Sequence, residues 1–418
     1  MLGFTQRRRS FEEKSKGMHV SMSKDPMEDY VKRLLEALGS LKELELENVT
    51  FEAEELEFFI QPFTGMPRSA PKLVKRPVSL PIQLVPLKFE PPVTEYVGKV
   101  SEVTLGATKS EGGTRDYVKT IGGETAPPFN YFNGSQPHRP VVAFDIFDMN
   151  LKLPKAVRTN YGEAMEDPAE WAKLCVNKFG AEMVTIHLIS TDPLIKDTSP
   201  VESAKMIEDV LQAVNVPIGI GSAGVPDKDP KVLAKAAEVA EGERILLSSA
   251  NLDTDYIAIA KEAKEHGHVL LSWTQMDINN QKKLNREILD VLPPDQIIMD
   301  PTTGALGYGL EYTFSIMERI RLAALLGDKD LQMPILSGTS NSWAAREAWM
   351  KNEEWGPREL RGPLWETMTA LTLLMTGCDF FMMSHPSAVQ TLNRFIDSLM
   401  QLSDSSPNSS TDWIGLEV

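Results

Sequence analysis

From residue 141 onward, eight short apolar runs each end on side chains able to take part in chemistry. In chain order these are Asp145 and Asp148, then His187 and Ser190, Ser222, Asn251, and Thr274 with Gln275. Next come Asp300 with Thr302, Thr303 and Gly304, then Ser337 with Gly338, Thr339 and Asn341, and finally Ser384 with His385. The set is rich in hydroxyls and amides and contains few charges. It holds no HExxH pattern, no Cys–His pairing and no two carboxylates with an evident division into acid and base. Such an inventory suits gripping a large organic ligand by its polar edges better than it suits hydrolysis. Singly, each Ser or Thr reads as the cap of a loop, because these side chains bond readily to nearby backbone; the recurrence carries the information.

Other chemistry-bearing features point elsewhere. GIGSAG at 219–224 has the G-x-G-x-x-G spacing of a dinucleotide site. That fingerprint needs an acidic residue at the end of the following strand, where this chain has Ser248, Ser249 and Asn251. Small residues at a crowded strand end explain the run better. Cys175 and Cys378 are the only cysteines, so the chain cannot build a four-Cys zinc or iron–sulfur site by itself. They read as small buried apolar residues, and His187 as a core imidazole bonded to a neighbour. His266 and His268 fall on the rim opposite the polar groups, whereas His385 falls among them.

Those groups need elements to position them, and the pattern is regular. VVAFDIF (141), MVTIHLIS (183), PIGIGSA (217), RILLSSA (244), HVLLSWTQ (268), QIIMDPTT (296), PILSGT (334) and CDFFMMSH (378) are strand-like, and an amphipathic helical pattern follows each one. Asp167-Pro168, Ser199-Pro200 and Asp229-Pro230 read as helix starts, while Gly180, Gly242, Gly267, Gly327 and Gly377 read as helix stops. Strands apolar on both faces imply a parallel sheet covered by helices. Eight βα units over about 260 residues match a closed (β/α)8 TIM barrel, with an open doubly wound sheet as the alternative. In a barrel, the C-terminal strand ends form the functional mouth. Two connections over it stand out. DPTTGALGYGLEY (300–312) carries three glycines within six residues, Gly304, Gly307 and Gly309, as a lid or flat contact would. The seventh connection carries Trp343, Trp349 and Trp355, which reads as an interface.

The predicted organisation is an N-terminal arm (1–60), a proline-rich extended segment and barrel lead-in (61–140), the TIM barrel (141–402) and a C-terminal tail (403–418). Within the arm, Val31, Leu34, Leu35 and Leu38 mark a short amphipathic helix over Pro26–Leu38, and an acidic stretch runs from Glu43 to Glu57. Eight prolines between Pro62 and Pro92 should hold that segment extended. The 418 residues are 42% apolar and carry a net charge of −16, which excludes a nucleic-acid polymer as the main partner. The most apolar stretch, 370–383, is interrupted by Asp379 and is shorter than the ~20 residues of a membrane span. MLGFTQRRRS lacks the apolar core of a signal peptide, so the cytoplasm is the expected compartment.

Three stretches carry a resemblance: YVKTIGGETAPPFNYFNG (117–134), residues 141–188, and IIMDPTTGALGYGLEYTFSIMERIRLAALLGDKDLQMPIL (297–336). Over residues ~95 to ~400, on barrel-sized arithmetic, the chain resembles the delta subunit of archaeal acetyl-CoA decarbonylase/synthase, itself similar to the small subunit of corrinoid/iron–sulfur proteins. The resemblance implies a heterodimer with a gamma subunit that brings an iron–sulfur domain and a cobamide. It further implies acetyl-CoA synthase and CO dehydrogenase components as wider partners, and methyl transfer between a tetrahydropterin and the nickel site that makes or cleaves acetyl-CoA. On that basis no catalytic residue and no metal is expected on this chain. The cobamide would meet Thr274, Gln275, Thr302, Thr303, Gly304, Ser337, Gly338, Thr339, Asn341 and His385. Two other readings stay open. One is a self-contained pterin methyltransferase, with Asp145, Asn251 and Asp300 around the methyl donor; the other is a purely structural organiser of the complex.

Overall fold

A computed structural model of the 418-residue chain describes residues 93–400. The helix expected over Pro26–Leu38, the acidic and proline-rich segments and the tail from 403 lie outside the described residues.

All eight expected strands form, and all are parallel. They are β3 (Val141–Phe147), β4 (Val184–His187), β5 (Ile218–Gly221), β6 (Leu246–Ala250), β7 (Val269–Trp273), β8 (Ile297–Asp300), β9 (Leu336–Ser337) and β10 (Phe380–Met383). Each pairs with its neighbour in chain order, and β10 returns to β3 through Phe380 opposite Val141. A parallel bridge between Met299 and Ile335 closes the remaining gap from β8 to β9, with Met299 N donating to Pro334 O at 2.8 Å. The sheet is therefore a closed barrel rather than the open doubly wound alternative.

The helices are α1 (Lys155–Tyr161), α2 (Pro168–Phe179), α3 (Pro200–Ala213), α4 (Asp229–Val239), α5 (Tyr256–Glu265) and α6 (Ile278–Leu289). They continue with α7 (Leu310–Leu325), α8 (Arg346–Trp349), α9 (Arg358–Leu374) and α10 (Pro386–Leu399). Local chemistry sets their ends. Asp167 accepts from the N–H groups of Ala169 and Glu170 to start α2, and Ser199 with Glu202 forms a capping box on α3. Asp229 departs from expectation. It occupies the first helical position instead of the cap, and its buried carboxylate turns back to accept from Gly224 N at 3.1 Å. Helix α9 starts five residues before Pro363 and runs through it, at the loss of the intrahelical bond that an N–H at this position would donate to Glu359 O.

Strand alternation divides the core in two. Outward residues such as Val142, Phe144, Ile186 and Ile297 pack beneath the helices, while Val141, Ala143, Met183, Leu246, Val269, Leu271, Ile298, Leu336, Phe380 and Met382 fill the barrel. An antiparallel hairpin, β1 (Val103–Leu105) with β2 (Lys119–Ile121), inserts Val103, Leu105 and Ile121 into that same inner cluster. It plugs the N-terminal end of the barrel, a role not anticipated within the lead-in. Two buried arginines fasten this end. Arg115 pairs with Glu243 at 2.8 Å, and Arg321 pairs with Glu124 at 3.1 Å and Asp379 at 2.5 Å.

Candidate functional site

The same alternation aims Asp145, Thr185, His187 and Asp300 into the barrel at its C-terminal end. Asp145 is buried at the centre of the group. Its Oδ1 accepts from Thr185 Oγ1 at 2.5 Å, its Oδ2 accepts from Ser340 Oγ, and His187 Nε2 lies 3.1 Å away. Burial works against a charged His187, but the carboxylates of Asp145 and Asp148 outweigh it and its pKa is raised. Gly219 and Gly221 make room for this cluster: a Cβ at either would come within 2.6 Å of Thr185 Cγ2 or 2.7 Å of His187 Nδ1. The GIGSAG run thus serves barrel packing, in agreement with the reading that set the dinucleotide site aside.

Two further carboxyls stand in the mouth with no cation paired to them among the described residues. Asp300 ends β8, accepts from Thr302 N at 2.8 Å, and burial pushes its pKa up to about 7. Glu366, on α9, accepts from the backbone N–H groups of Ser384 at 2.6 Å and His385 at 2.9 Å, and burial pushes its pKa up to about 8. Asp148 accepts from Ser190 N at 3.0 Å and Ser190 Oγ at 2.5 Å, and burial raises it as well. Helix α1 closes this side, with Tyr161 OH donating to Ser384 O and Asn160 Nδ2 placed 3.2 Å from His385 Nε2. Burial holds the His385 pKa down at about 4, leaving it neutral beneath the stacked ring of Trp343 at 6.0 Å.

The residues expected to meet a ligand divide by exposure. Thr303, Ser337 and Thr339 are buried and bonded in a chain, Thr303 Oγ1 to Ser337 Oγ at 2.9 Å and Ser337 Oγ to Thr339 Oγ1 at 2.8 Å. Thr274 is buried with its hydroxyl donating to Gln281 Oε1 at 2.8 Å. Gly304 is buried where a Cβ would come within 2.6 Å of Gly309 O. Gln275 and Asn341 are exposed, Thr302 and Gly338 are half-buried, and His385 caps α10. Thr302 also has φ +71°, and its hydroxyl reaches back to Thr274 O at 2.7 Å. The glycine-bearing connection is tied down: Leu306 N donates to Thr369 Oγ1 at 3.2 Å and Trp365 Nε1 to Leu306 O at 3.0 Å. His268 is buried on the opposite rim, 3.0 Å from Ala237 O.

The sequence profile of the CO dehydrogenase/acetyl-CoA synthase delta subunit family matches residues 102–352. Acetyl-CoA decarbonylase/synthase complex subunit delta of Archaeoglobus fulgidus is 53% identical over 373 residues, covering 85% of this chain and 82% of that protein. The chain belongs to this delta-subunit family. Subunit delta 1 of Methanosarcina thermophila is 54% identical over 344 residues, covering 80% of this chain and 79% of its own length. The Methanocaldococcus jannaschii delta subunit is 48% identical, with 86% and 90% covered. Among solved structures, a dihydropteroate synthase from Yersinia pestis with a pterine-sulfa conjugate matches with TM-score 0.45 at 14% identity, over 63% of this chain and 94% of that one. The Thermus thermophilus dihydropteroate synthase matches with TM-score 0.44 at 16% identity, over 64% and 97%.

The strings that carried the delta-subunit resemblance occupy both ends of the barrel. GGET places Glu124 against Arg321 beneath the sheet, with Gly122 and Gly123 at φ +87° and +85° to bring the chain round. DPTTGALGYG builds the Asp300 side of the mouth. Glu366 was missed from the sequence. A carboxylate within a helical pattern reads as solvated, and only its contacts with Ser384 and His385 give it away.

Proposed function

We propose that the chain acts as the delta subunit of an acetyl-CoA decarbonylase/synthase complex, its barrel mouth facing a cobamide held chiefly by a gamma subunit. Methyl transfer between a methyl-tetrahydropterin and the nickel site is the reaction served. The observation that carries this beyond family membership is the electrostatic character of the mouth. Asp300 and Glu366 have pKa values of about 7 and 8, so near neutral pH the mouth holds carboxyls that are partly or mainly uncharged. Exposed amides at Gln275 and Asn341 stand on its rim. This donor set fits a macrocycle fringed with amides better than it fits an anion. When bound, a cobamide supplies a cobalt nucleophile that accepts and releases the methyl group. The chain's own residues orient and shield. In this reading Gln275 and Asn341 bond peripheral amides, the buried Thr303, Ser337 and Thr339 chain stiffens the rim, and Trp343 with His385 excludes water on the α1 side.

A second reading, in which this mouth itself binds the methyl-tetrahydropterin, is favoured by Asp300. Its Oδ1 is taken by Thr302 N, while no hydrogen bond among the described residues engages its other oxygen, which is left available to a ring amide. The test is the visible spectrum of the chain purified alone and together with gamma. Corrinoid absorption in the pair and a colourless single chain are expected; a stoichiometric corrin on the isolated chain would overturn the shared site. Methyl-tetrahydropterin binding by the isolated chain, lost in Asp300→Asn, would favour the second reading.

A further inference from the structure

We infer that the seventh βα connection and the outer face of α9 form a docking surface for another protein subunit, one that presents a carboxylate in an apolar surround to Arg361. The inference rests on the reading of this chain as a subunit of a larger complex, and it names where and by what chemistry one contact is made.

Arg361 is 8% exposed. One guanidinium nitrogen, Nη2, donates to Met350 O at 2.5 Å, while Nε and Nη1 have no partner among the described residues. No ion pair to Arg361 forms among the described residues, and the nearby carboxylate of Glu347 accepts instead from Tyr308 OH at 2.9 Å. The other two buried arginines behave differently: Arg115 and Arg321 each contact carboxylates at 3.1 Å or less. Burying a guanidinium without an anion is costly, and buried donors are nearly always satisfied in folded proteins. The missing acceptor is therefore expected from outside this fold.

The surroundings say what kind of molecule brings it. Trp355 lies over the guanidinium with its ring centre 5.3 Å from Arg361 Cζ, and both Trp355 and Trp349 are close to half-exposed. Leu360, Leu364 and Met368, spaced i, i+4, i+8, line the outer face of α9, with Leu360 62% exposed. A desolvated arginine under a half-exposed tryptophan, on a helix that also presents an exposed aliphatic stripe, has the make-up of a protein–protein hot spot. A free inorganic anion would satisfy the guanidinium but leave that apolar stripe in water. Trp343, grouped with the other two tryptophans from sequence, instead packs inward against Gly362.

The test uses the full-length chain, alone and with the other purified subunits of the complex. Arg361→Met keeps the length of the side chain and removes its charge. The isolated variant is expected to melt at or above the wild-type temperature, because an uncompensated buried charge has gone, while association by calorimetry weakens at least tenfold, or about 1.4 kcal/mol. Leu364→Asp should weaken association similarly. Wild-type affinity in both variants would overturn the proposal. So would a drop of several degrees in the melting temperature of isolated Arg361→Met, which would place the acceptor within this chain. If sodium sulfate raises the melting temperature of wild type but not of Arg361→Met, and association is unchanged, the site takes a free anion and the proposal fails. Neither association nor melting temperature is read through corrin, so a colourless wild-type pair would defeat the proposed function without touching this result.

Discussion

The two ends of the barrel handle buried carboxylates in opposite ways. Beneath the sheet, Glu124 and Asp379 share the guanidinium of Arg321, and Glu243 holds Arg115. At the mouth, Asp148, Asp300 and Glu366 are as buried as those below, yet among the described residues no cation pairs with them and N–H and O–H donors meet them instead; burial raises all three pKa values, as it also raises that of Asp379 below, where Arg321 supplies the counter-charge. Charge compensated by charge locks the hairpin plug to the barrel. Charge left uncompensated stores a tendency to take up a proton or to meet a ligand, as expected at the end of the fold where chemistry is placed. One end is built for stability and the other gives some of it up.

Arg321→Met strikes this contrast hardest. It strands Glu124 and Asp379 in the interior without a cation, and breaking such a buried pair costs roughly 3–5 kcal/mol. Urea denaturation should show that loss, or the variant should fail to accumulate. Asp300→Asn, at the other end, keeps an acceptor for Thr302 N and removes a charge that is only half present at neutral pH, so it should stay within about 1 kcal/mol of wild type. Equal losses in the two variants would dissolve the distinction.

A second prediction uses pH. Burial raises the Glu366 pKa to about 8, above that of the unfolded chain, so the folded state holds the proton more tightly. Its contribution to stability is full below the unfolded value of about 4.5 and disappears as pH rises through about 8. Glu366→Gln removes that dependence. Melting curves from pH 5 to 9 should therefore fall less steeply in the variant, which should be the more stable protein at the alkaline end by an amount on the order of a few kcal/mol. A parallel decline in both proteins would show that Glu366 is already ionised in the fold, and the contrast between the two ends would weaken accordingly.

What could be read from sequence follows the same geography. The eight strands, their parallel sense and most helix ends were legible because they are local: β-branched runs, capping pairs and terminal glycines declare themselves within a dozen residues. Asp145, His187 and Asp300 were legible as mouth residues because strand ends locate them. The outcome for Thr274, Thr303, Ser337 and Thr339 was not, since whether a hydroxyl faces a ligand or a polar group of its own chain depends on side-chain placement that spacing does not show, whether the partner is near, as Gln281 is to Thr274, or 34 residues away, as Ser337 is to Thr303. Glu366 and Arg321 were hidden for a related reason. Each sits in an amphipathic helix at a position that looks solvated, and its partners lie on other elements at long range, Glu124 being 197 residues from Arg321. The hairpin β1–β2 escaped notice because three-residue strands carry too little alternation to stand out.

The smallest expected effect on stability concerns Thr302, at the boundary of the mouth. A β-branched residue at φ +71° is strained, typically by about 1–3 kcal/mol. Thr302→Gly relieves that strain, but it gives up the hydrogen bond from Oγ1 to Thr274 O, worth about 1 kcal/mol, and adds the backbone freedom of glycine, worth roughly 0.5–1 kcal/mol against folding. These terms nearly cancel, so the melting temperature of the isolated chain should move by only a few degrees. If the strain exists solely to close the β8 connection, cobamide retention in the reconstituted pair should match wild type. If Thr302 is held in that conformation to aim a group at the ligand, retention should fall while the melting temperature does not. The second outcome is the one expected from a mouth that gives up stability for binding, and the opposite result, a large loss of stability with full retention, would make the Thr302 side of the mouth resemble the fastened end below it.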